Sequence, residues 1–208
     1  PLQGEGGFIP APIEWVNAVR KICDENGILL VADEVQTGFC RTGRMFATNY
    51  WEESGVQPDI LATAKSIAAG VPLSAIVARE EIMEASAPGT IGGTFCGNAL
   101  ACAAALKTIE IMERDDIAGR SCEIGEKVSK RFNEWKEKYP VIGDVRGLGG
   151  MIGLEFVKDQ KTKEPYPEFS AAVIKGCVQK GLMIEGAGTY GNVIRFLAPV
   201  SYTHLTLP

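Results

Sequence analysis

Residues Ile28-Leu29-Leu30-Val31-Ala32 form an unbroken apolar run that begins directly after Gly27 and stops at Asp33-Glu34. A strand with one wet face alternates apolar and polar residues. A run without alternation needs cover on both faces, as in a parallel sheet flanked by helices. The segment before it reads as a helix. Pro10, Pro12 and Glu14 are helix-start residues, Asn26-Gly27 is a stop, and Trp15, Val16, Val19, Ile22 and Cys23 recur between them at helical spacing. Pro58-Asp59 then introduces the strand-like Ile60-Leu61-Ala62, residues 74–78 form another short apolar segment, and the Ala-rich stretch 99–112 predicts a long helix. Strands alternating with helices make this an α/β pattern.

After Glu113-Arg114-Asp115-Asp116 the texture changes. Ile124, Val128, Phe132, Trp135 and Tyr139 follow at intervals of four, four, three and four, marking an amphipathic helix closed by Pro140. Its polar side holds the mixed charges of residues 127–138, read as a solvated face. Strand-like residues 151–157, a polar loop 158–167, a helix over 168–180 and strand-like 182–184 and 193–197 complete a smaller α+β unit. The boundary falls near residue 118. That divides the chain into part of a large domain (1–118) and a small C-terminal domain (119–200).

The 208 residues are 46% hydrophobic and 23% charged, with 24 Gly and 11 Pro, which is globular rather than disordered or fibrous. A net charge of −5 argues against nucleic-acid binding. No apolar run is long enough to cross a bilayer, and no secretory signal is visible, so no membrane partner is expected. The chain opens on Pro1 rather than Met, from which processing or truncation of an upstream part is expected. Six cysteines (Cys23, Cys40, Cys96, Cys102, Cys122, Cys177) show no CxxC and are expected to be reduced and buried, as in a cytoplasmic protein. With one histidine, His204, neither a His-rich metal site nor a Ser-His-Asp triad is supported, and no metal is expected.

Chemistry is expected where the strands end, because open α/β sheets bind ligands beyond the carboxyl ends of their strands. Asp33 follows the first strand and Lys65 follows the second apolar segment. A buried carboxylate needs a partner. These opposite charges therefore form either a shared site or a plain buried ion pair, and Asp33 alone could be a structural cap. A third element, Gly92-Gly93-Thr94-Phe95-Cys96-Gly97-Asn98, leads into the Ala-rich helix as an anion cradle suited to phosphate. It is neither a Walker A loop nor GxGxxG. A phosphate cradle with an Asp and a Lys, and no nucleotide motif, points to pyridoxal 5′-phosphate (PLP).

Six segments occur in order: Gln3-Gly4-Glu5-Gly6-Gly7, Asp33-Glu34-Val35-Gln36-Thr37-Gly38-Phe39, Arg41-Thr42-Gly43, Pro58-Asp59-Ile60, Ala64-Lys65-Ser66 and Gly92-Gly93-Thr94. Together they resemble the class III (omega) aminotransferases of the fold-type I PLP enzymes. The resemblance runs from residue 1 to about Pro199. It implies part of a large PLP domain with a mainly parallel sheet, then a small α+β C-terminal domain. Phe8-Ile9-Pro10-Ala11-Pro12 and Tyr190-Gly191-Asn192-Val193-Ile194-Arg195-Phe196-Leu197 look most like 4-aminobutyrate aminotransferases. Acetylornithine and ornithine aminotransferases, a class III aminomutase or decarboxylase, and an inactive binding module of the same fold remain alternatives.

The resemblance implies a role for each site residue. Lys65 condenses with the cofactor aldehyde and, once displaced, moves the proton, for which burial beside a cationic ring suits it. Asp33 faces the pyridine nitrogen, Val35 packs on the ring, and Gln36 hydrogen-bonds the phenolic oxygen. Thr94 binds the phosphate from the neighbouring subunit, implying a homodimer. Arg195 clamps the α-carboxylate of glutamate or 2-oxoglutarate, and Glu5 pairs with Arg195 when an amine without that carboxylate is bound. Taken singly, Arg195 reads by default as a surface or inter-domain ion pair and Glu5 as a solvated side chain.

The sequence departs from the family in two places. The family's N-terminal half, with the other phosphate-binding turn, is absent, so the fragment alone is expected to be inactive. The match also ends after Ala198-Pro199-Val200, and residues 201–208 look like translated sequencing-adapter read-through rather than native protein.

Overall fold

The structure, a computed structural model, describes residues 1–200. The tail 201–208, with His204, lies outside the described residues. Strands β1 (Leu2–Gln3) and β2 (Ile9–Pro10) form a small antiparallel hairpin around the Gly-rich segment. Helix α1 (Ile13–Asn26) ends where the sequence requires, because Gly27 takes the left-handed conformation (φ 64°) at its C-terminus. Then follow β3 (Val31–Asp33), β4 (Ile60–Thr63), β5 (Ala75–Ala78), the short α2 (Glu80–Glu84) and the long α3 (Ala99–Arg114). The remainder holds α4 (Ile117–Lys138), β6 (Ile142–Leu148), β7 (Met151–Phe156), α5 (Pro167–Gln179), β8 (Glu185–Ala187) and β9 (Val193–Phe196). Among the described residues, no helix is long and apolar enough to cross a membrane.

Two compact units divide the chain. One holds Pro1, residues 12–40 and 44–116; the other holds residues 2–11, 41–43 and the chain from Ile117 onward. In the first unit the sheet order is β3-β4-β5. β3 and β4 run parallel and β4 and β5 antiparallel, so this three-stranded stretch is evenly mixed rather than mainly parallel. Phe39, Ile67, Ala68 and Ala105 form its core cluster.

The double-sided burial expected of residues 28–32 is not seen. Only Ala32 is buried, and Ile28, Leu29 and Val31 are about half exposed. Among the described residues β3 stands at the edge of this sheet, and nothing there covers its outward side chains. The apolar face of α1 is likewise half covered: Val16 and Cys23 are buried, whereas Trp15 and Ile22 are exposed.

Asp59 ties these elements together. Its carboxylate accepts hydrogen bonds from Leu30 N at 2.7 Å and from Arg20 of α1 at 2.7 Å, and Arg79 approaches to 3.1 Å. The Asp59 amide in turn donates to Leu30 O at 2.8 Å. This buried carboxylate thereby sets the approach of β3 to β4. The Arg20 hydrogen bond, then that from Leu30 N, hold its pKa down at about 2 against the ordinary 3.8.

The second unit is an antiparallel sheet in the order β6-β7-β9-β8. Ile124, Val128 and Phe132 of α4 pack on Ile142, Ile152, Leu154, Phe156 and Ile194, so the helical spacing in the sequence is the core stripe. Each such burial contributes roughly 1.5–3 kcal/mol relative to exposure. Two expectations are corrected here. Residues 182–184 are not a strand; β8 starts at Glu185, after the Leu182 amide has bonded back to Cys177 O to close α5. β6, whose centre reads Gly143-Asp144-Val145-Arg146-Gly147, lacks an apolar run and escaped the sequence reading. The Ser121 hydroxyl donates to Arg41 O at 2.9 Å and accepts from Gly150 N at 2.9 Å, which attaches residues 41–43 to this unit.

The packing at Gly125 and at Asp59 can each be tested by substitution. Gly125 sits in α4 where a Cβ would strike the backbone of Gly149, with Gly149 Cα at 3.1 Å. Gly125→Ala, a change that usually stabilises a helix, should here cost about 1–3 kcal/mol in denaturant unfolding. For Asp59 the lowered pKa means stability that is present above pH 3.8 and lost as pH falls through about 2. Asp59→Asn should therefore cost on the order of 1–2 kcal/mol near pH 6. The gap to the unmutated protein should close between about pH 4 and 2; a constant gap over that range would contradict the assignment.

Candidate functional site

In the first unit, the parallel register pairs Asp33 with Ala62. Lys65 lies three residues past Ala62, so Asp33 and Lys65 leave the sheet at the carboxyl ends of adjacent strands. The chain turns sharply after each. Asp33 Oδ1 accepts a hydrogen bond from Val35 N at 2.9 Å, which starts the turn. Glu34, fully buried, accepts from the Thr37 hydroxyl and from Thr48 N at 2.7 Å, while its carbonyl accepts from Gly38 N at 3.0 Å. These bonds fix residues 34–38 and present Val35 and Gln36 half-buried.

Lys65 opens a 3-10 turn, Lys65–Ala68, with φ at +50°. Left-handed backbone at a residue with a Cβ costs roughly 1–2 kcal/mol, and it persists where surrounding packing imposes it. Here the imposing contacts are the burial of Ile67 and Ala68 directly after it and the Ile67 N to Ala64 O hydrogen bond of 3.2 Å. Among the described residues, the Lys65 side chain makes no hydrogen bond or ion pair and is exposed.

Several expectations are corrected at this end of the sheet. Asp33 and Lys65 are not a buried ion pair; both are exposed. The carboxylate that is buried is its neighbour in the motif, Glu34, whose signal was Thr37 three residues on. The loop leading to α3 is exposed throughout, including Thr94. The N-terminus of α3 is not an open anion cradle. Asn98 Oδ1 accepts from Leu100 N at 3.0 Å and Ala101 N at 3.3 Å, so the helix caps itself. All six cysteines are free, but Cys96 and Cys102 are exposed rather than buried.

In the second unit, Arg195 of β9 is 12% exposed in its side chain and hydrogen-bonds Glu5 through Nη1. Its Nη2 meets Glu185 at 2.9 Å, and its Nε is buried with no partner among the described residues. Glu5 is carried by the loop between β1 and β2, which is anchored by Gly188 N donating to Glu5 O at 2.9 Å and by Arg146 Nε donating to Gly7 O at 2.9 Å. Phe8, fully buried beside Leu2 and Met151, fastens the hairpin beneath it. Glu185 was missed by the sequence reading. Its position directly opposite Arg195 in the β8–β9 pairing depends on where β8 begins, and that was misplaced.

The sequence model of the family described as Aminotransferase class-III matches residues 1–206. Among curated relatives, the 5-aminovalerate aminotransferase DavT of Pseudomonas putida is 48% identical over 201 residues, covering 97% of this chain and 46% of that protein. The 4-aminobutyrate aminotransferase GabT of Escherichia coli K12 is 42% identical over 201 residues, covering 97% and 46%. A solved amine transaminase from an uncultivated Pseudomonas species, in its PLP-bound form, superposes with a TM-score of 0.87 at 36% identity, covering 98% of this chain and 47% of that one. The chain thus spans about half the length of the curated relatives it matches.

The positive φ of Lys65 gives a prediction that needs no ligand. Lys65→Gly should be more stable than Lys65→Ala by about 1 kcal/mol, because glycine adopts a left-handed backbone without a Cβ clash. Thermal unfolding of the two variants checks it; a more stable alanine variant would show that the backbone is not held there.

Proposed function

This chain belongs to the class-III aminotransferase family, and on that premise we propose that it serves PLP-dependent transamination of an ω-amino acid, 4-aminobutyrate, with 2-oxoglutarate as acceptor, giving the semialdehyde and glutamate. The observation that carries this reading is the contact between Arg195 and Glu5, a guanidinium held by an exposed carboxylate that an incoming substrate carboxylate can replace. The one-carbon-longer 5-aminovalerate, named for a relative, belongs to the same class of donors.

The residues at the carboxyl ends of β3 and β4 fit PLP in their chemistry. Lys65 offers an unengaged primary amine, and Asp33 has one carboxylate oxygen in its turn and the other available. Gln36 and Thr94 have no side-chain hydrogen bond among the described residues. When bound, PLP supplies an aldehyde that takes up the amine and a pyridinium ring that accepts the electron pair left by a departing proton.

The chain's residues supply the rest. With the cofactor bound, Lys65 Nζ would accept the proton from the amine-bearing carbon and hold it for return. Asp33 keeps a carboxylate against the ring nitrogen and so holds the proton there. Val35 and Gln36, half-buried beside Asp33, would hold the ring, the one by apolar packing and the other through its amide. Thr94 gives its hydroxyl to the phosphate of the neighbouring subunit in a homodimer. Arg195 binds the α-carboxylate of glutamate or 2-oxoglutarate through its planar fork, and Glu5 takes its place when the donor has none. Six free cysteines accord with a reducing, cytoplasmic setting.

The test uses the protein expressed at its full coding length with PLP. Added 4-aminobutyrate should bleach the cofactor absorbance, and 2-oxoglutarate should restore it. Lys65→Ala should lower turnover by about 10²–10⁴-fold or more; retained turnover would remove Lys65 from its role. Arg195→Ala should harm the 2-oxoglutarate half-reaction more than the 4-aminobutyrate one, and equal loss in both would sink the exchange with Glu5.

A further inference from the structure

We propose that Glu185 is a specificity-determining residue: a second carboxylate that competes with the substrate for Arg195 and biases the site against α-carboxylates. The inference rests on the reading of Arg195 as the carboxylate-binding residue and adds to it a residue that the reading does not use.

The geometry is that of one fixed cation between two movable anions. Arg195 lies in β9, an inner strand of the sheet, and its side chain is 12% exposed. Glu5 and Glu185 have side chains 76% and 70% exposed. The two enter from different elements. Glu185 stands opposite Arg195 on the edge strand β8, while Glu5 comes from the β1–β2 loop, held to the end of β8 through Gly188 N and Glu5 O at 2.9 Å.

The two outer nitrogens of the guanidinium are divided between them, Nη1 to Glu5 and Nη2 to Glu185 at 2.9 Å. Nε, the remaining nitrogen, is buried without a partner among the described residues. Each outer nitrogen has two N–H donors, so a carboxylate that engages both in the paired fashion Arg favours must share or displace both glutamates, not Glu5 alone. The charge count points the same way. One guanidinium with one carboxylate is neutral, whereas with two it is net negative, and an arriving anion is repelled. Because both glutamates are exposed, releasing either to water carries little desolvation cost, so the arrangement opposes the anion without blocking it. The consequence is a site tuned toward donors that lack an α-carboxylate, with glutamate and 2-oxoglutarate held loosely.

The test compares Glu185→Gln, Glu185→Asp, Glu5→Gln and Arg195→Ala in the holoenzyme at full coding length and low ionic strength, where exposed charges are least screened. Two quantities are read: the dissociation constant of glutarate by calorimetry, and the Michaelis constants for the acceptor 2-oxoglutarate and the donor 4-aminobutyrate. Removing one exposed ion-pair partner is worth about a twofold to fivefold change in affinity. Glu185→Gln should tighten glutarate and lower the Michaelis constant for 2-oxoglutarate by that factor. It should leave the constant for 4-aminobutyrate within about twofold and lose its effect at high salt. Glu185→Asp, which keeps the charge, should stay near the unmutated values. A glutamate that merely braces the strand pair would give the opposite sign, since loosening Arg195 weakens glutarate. Weaker or unchanged binding in Glu185→Gln, with Glu5→Gln tightening and Arg195→Ala abolishing it, overturns the role of Glu185 alone. Binding indifferent to Arg195→Ala overturns the reading of Arg195 and this inference with it.

Discussion

The approach of β3 to β4 is set by a single buried carboxylate. Asp59 receives the Leu30 amide and the Arg20 guanidinium, returns its own amide to Leu30, and draws Arg79 in from the end of β5. A buried charge is tolerated only when its acceptor sites are filled, and these groups fill them. With the strands so aligned, Asp33 stands beside Ala62, and the chain leaves both strands at the same end of the sheet. Lys65 follows in a left-handed turn that the packing of Ile67 and Ala68 holds in place. Register thus turns two residues distant in sequence into a pair on neighbouring strand ends.

The second unit solves a different problem, the presentation of a positive charge. Arg195 is anchored in an inner antiparallel strand backed by the α4 stripe, and only its guanidinium edge meets solvent-exposed groups. Its partners are exposed carboxylates on a loop and an edge strand. A nearly buried cation is thus paired with carboxylates that stay largely in water. The loop holding Glu5 is itself secured by buried Phe8 and by hydrogen bonds from Gly188 and Arg146.

Much of this was legible in the chain. The Gly27 stop, the four-residue steps through Ile124, Val128 and Phe132, and the placement of β4 and β9 follow from local propensity and periodicity, which act over a few residues. The errors lie where a non-local partner decides. The run at residues 28–32 demands cover, but it does not name what covers it, and its outward side chains are exposed. β6 carries charges and glycines because its neighbours, not its own composition, recruit it. Asp33 looked like the buried carboxylate, yet Glu34 is the one taken inside, since the tight turn to Thr37 and the Thr48 amide satisfy it. Composition marks an anion cradle before α3, whereas the Asn98 side chain already occupies two of the helix amides, those of Leu100 and Ala101.

By itself, the sequence determined helices α1, α3, α4 and α5, strands β4, β7 and β9, the α/β character followed by α+β, and the motif set that places the chain among class-III aminotransferases. Those depend on side-chain type and spacing along the chain. Tertiary structure alone decided that residues 2–11 and 41–43 join the second unit, that Lys65 takes a left-handed backbone, and that Arg195 faces two carboxylates rather than one. Each of these turns on which distant segment arrives alongside. Strand register and close backbone packing fix that choice, and neither is written in the spacing of residues within a single segment.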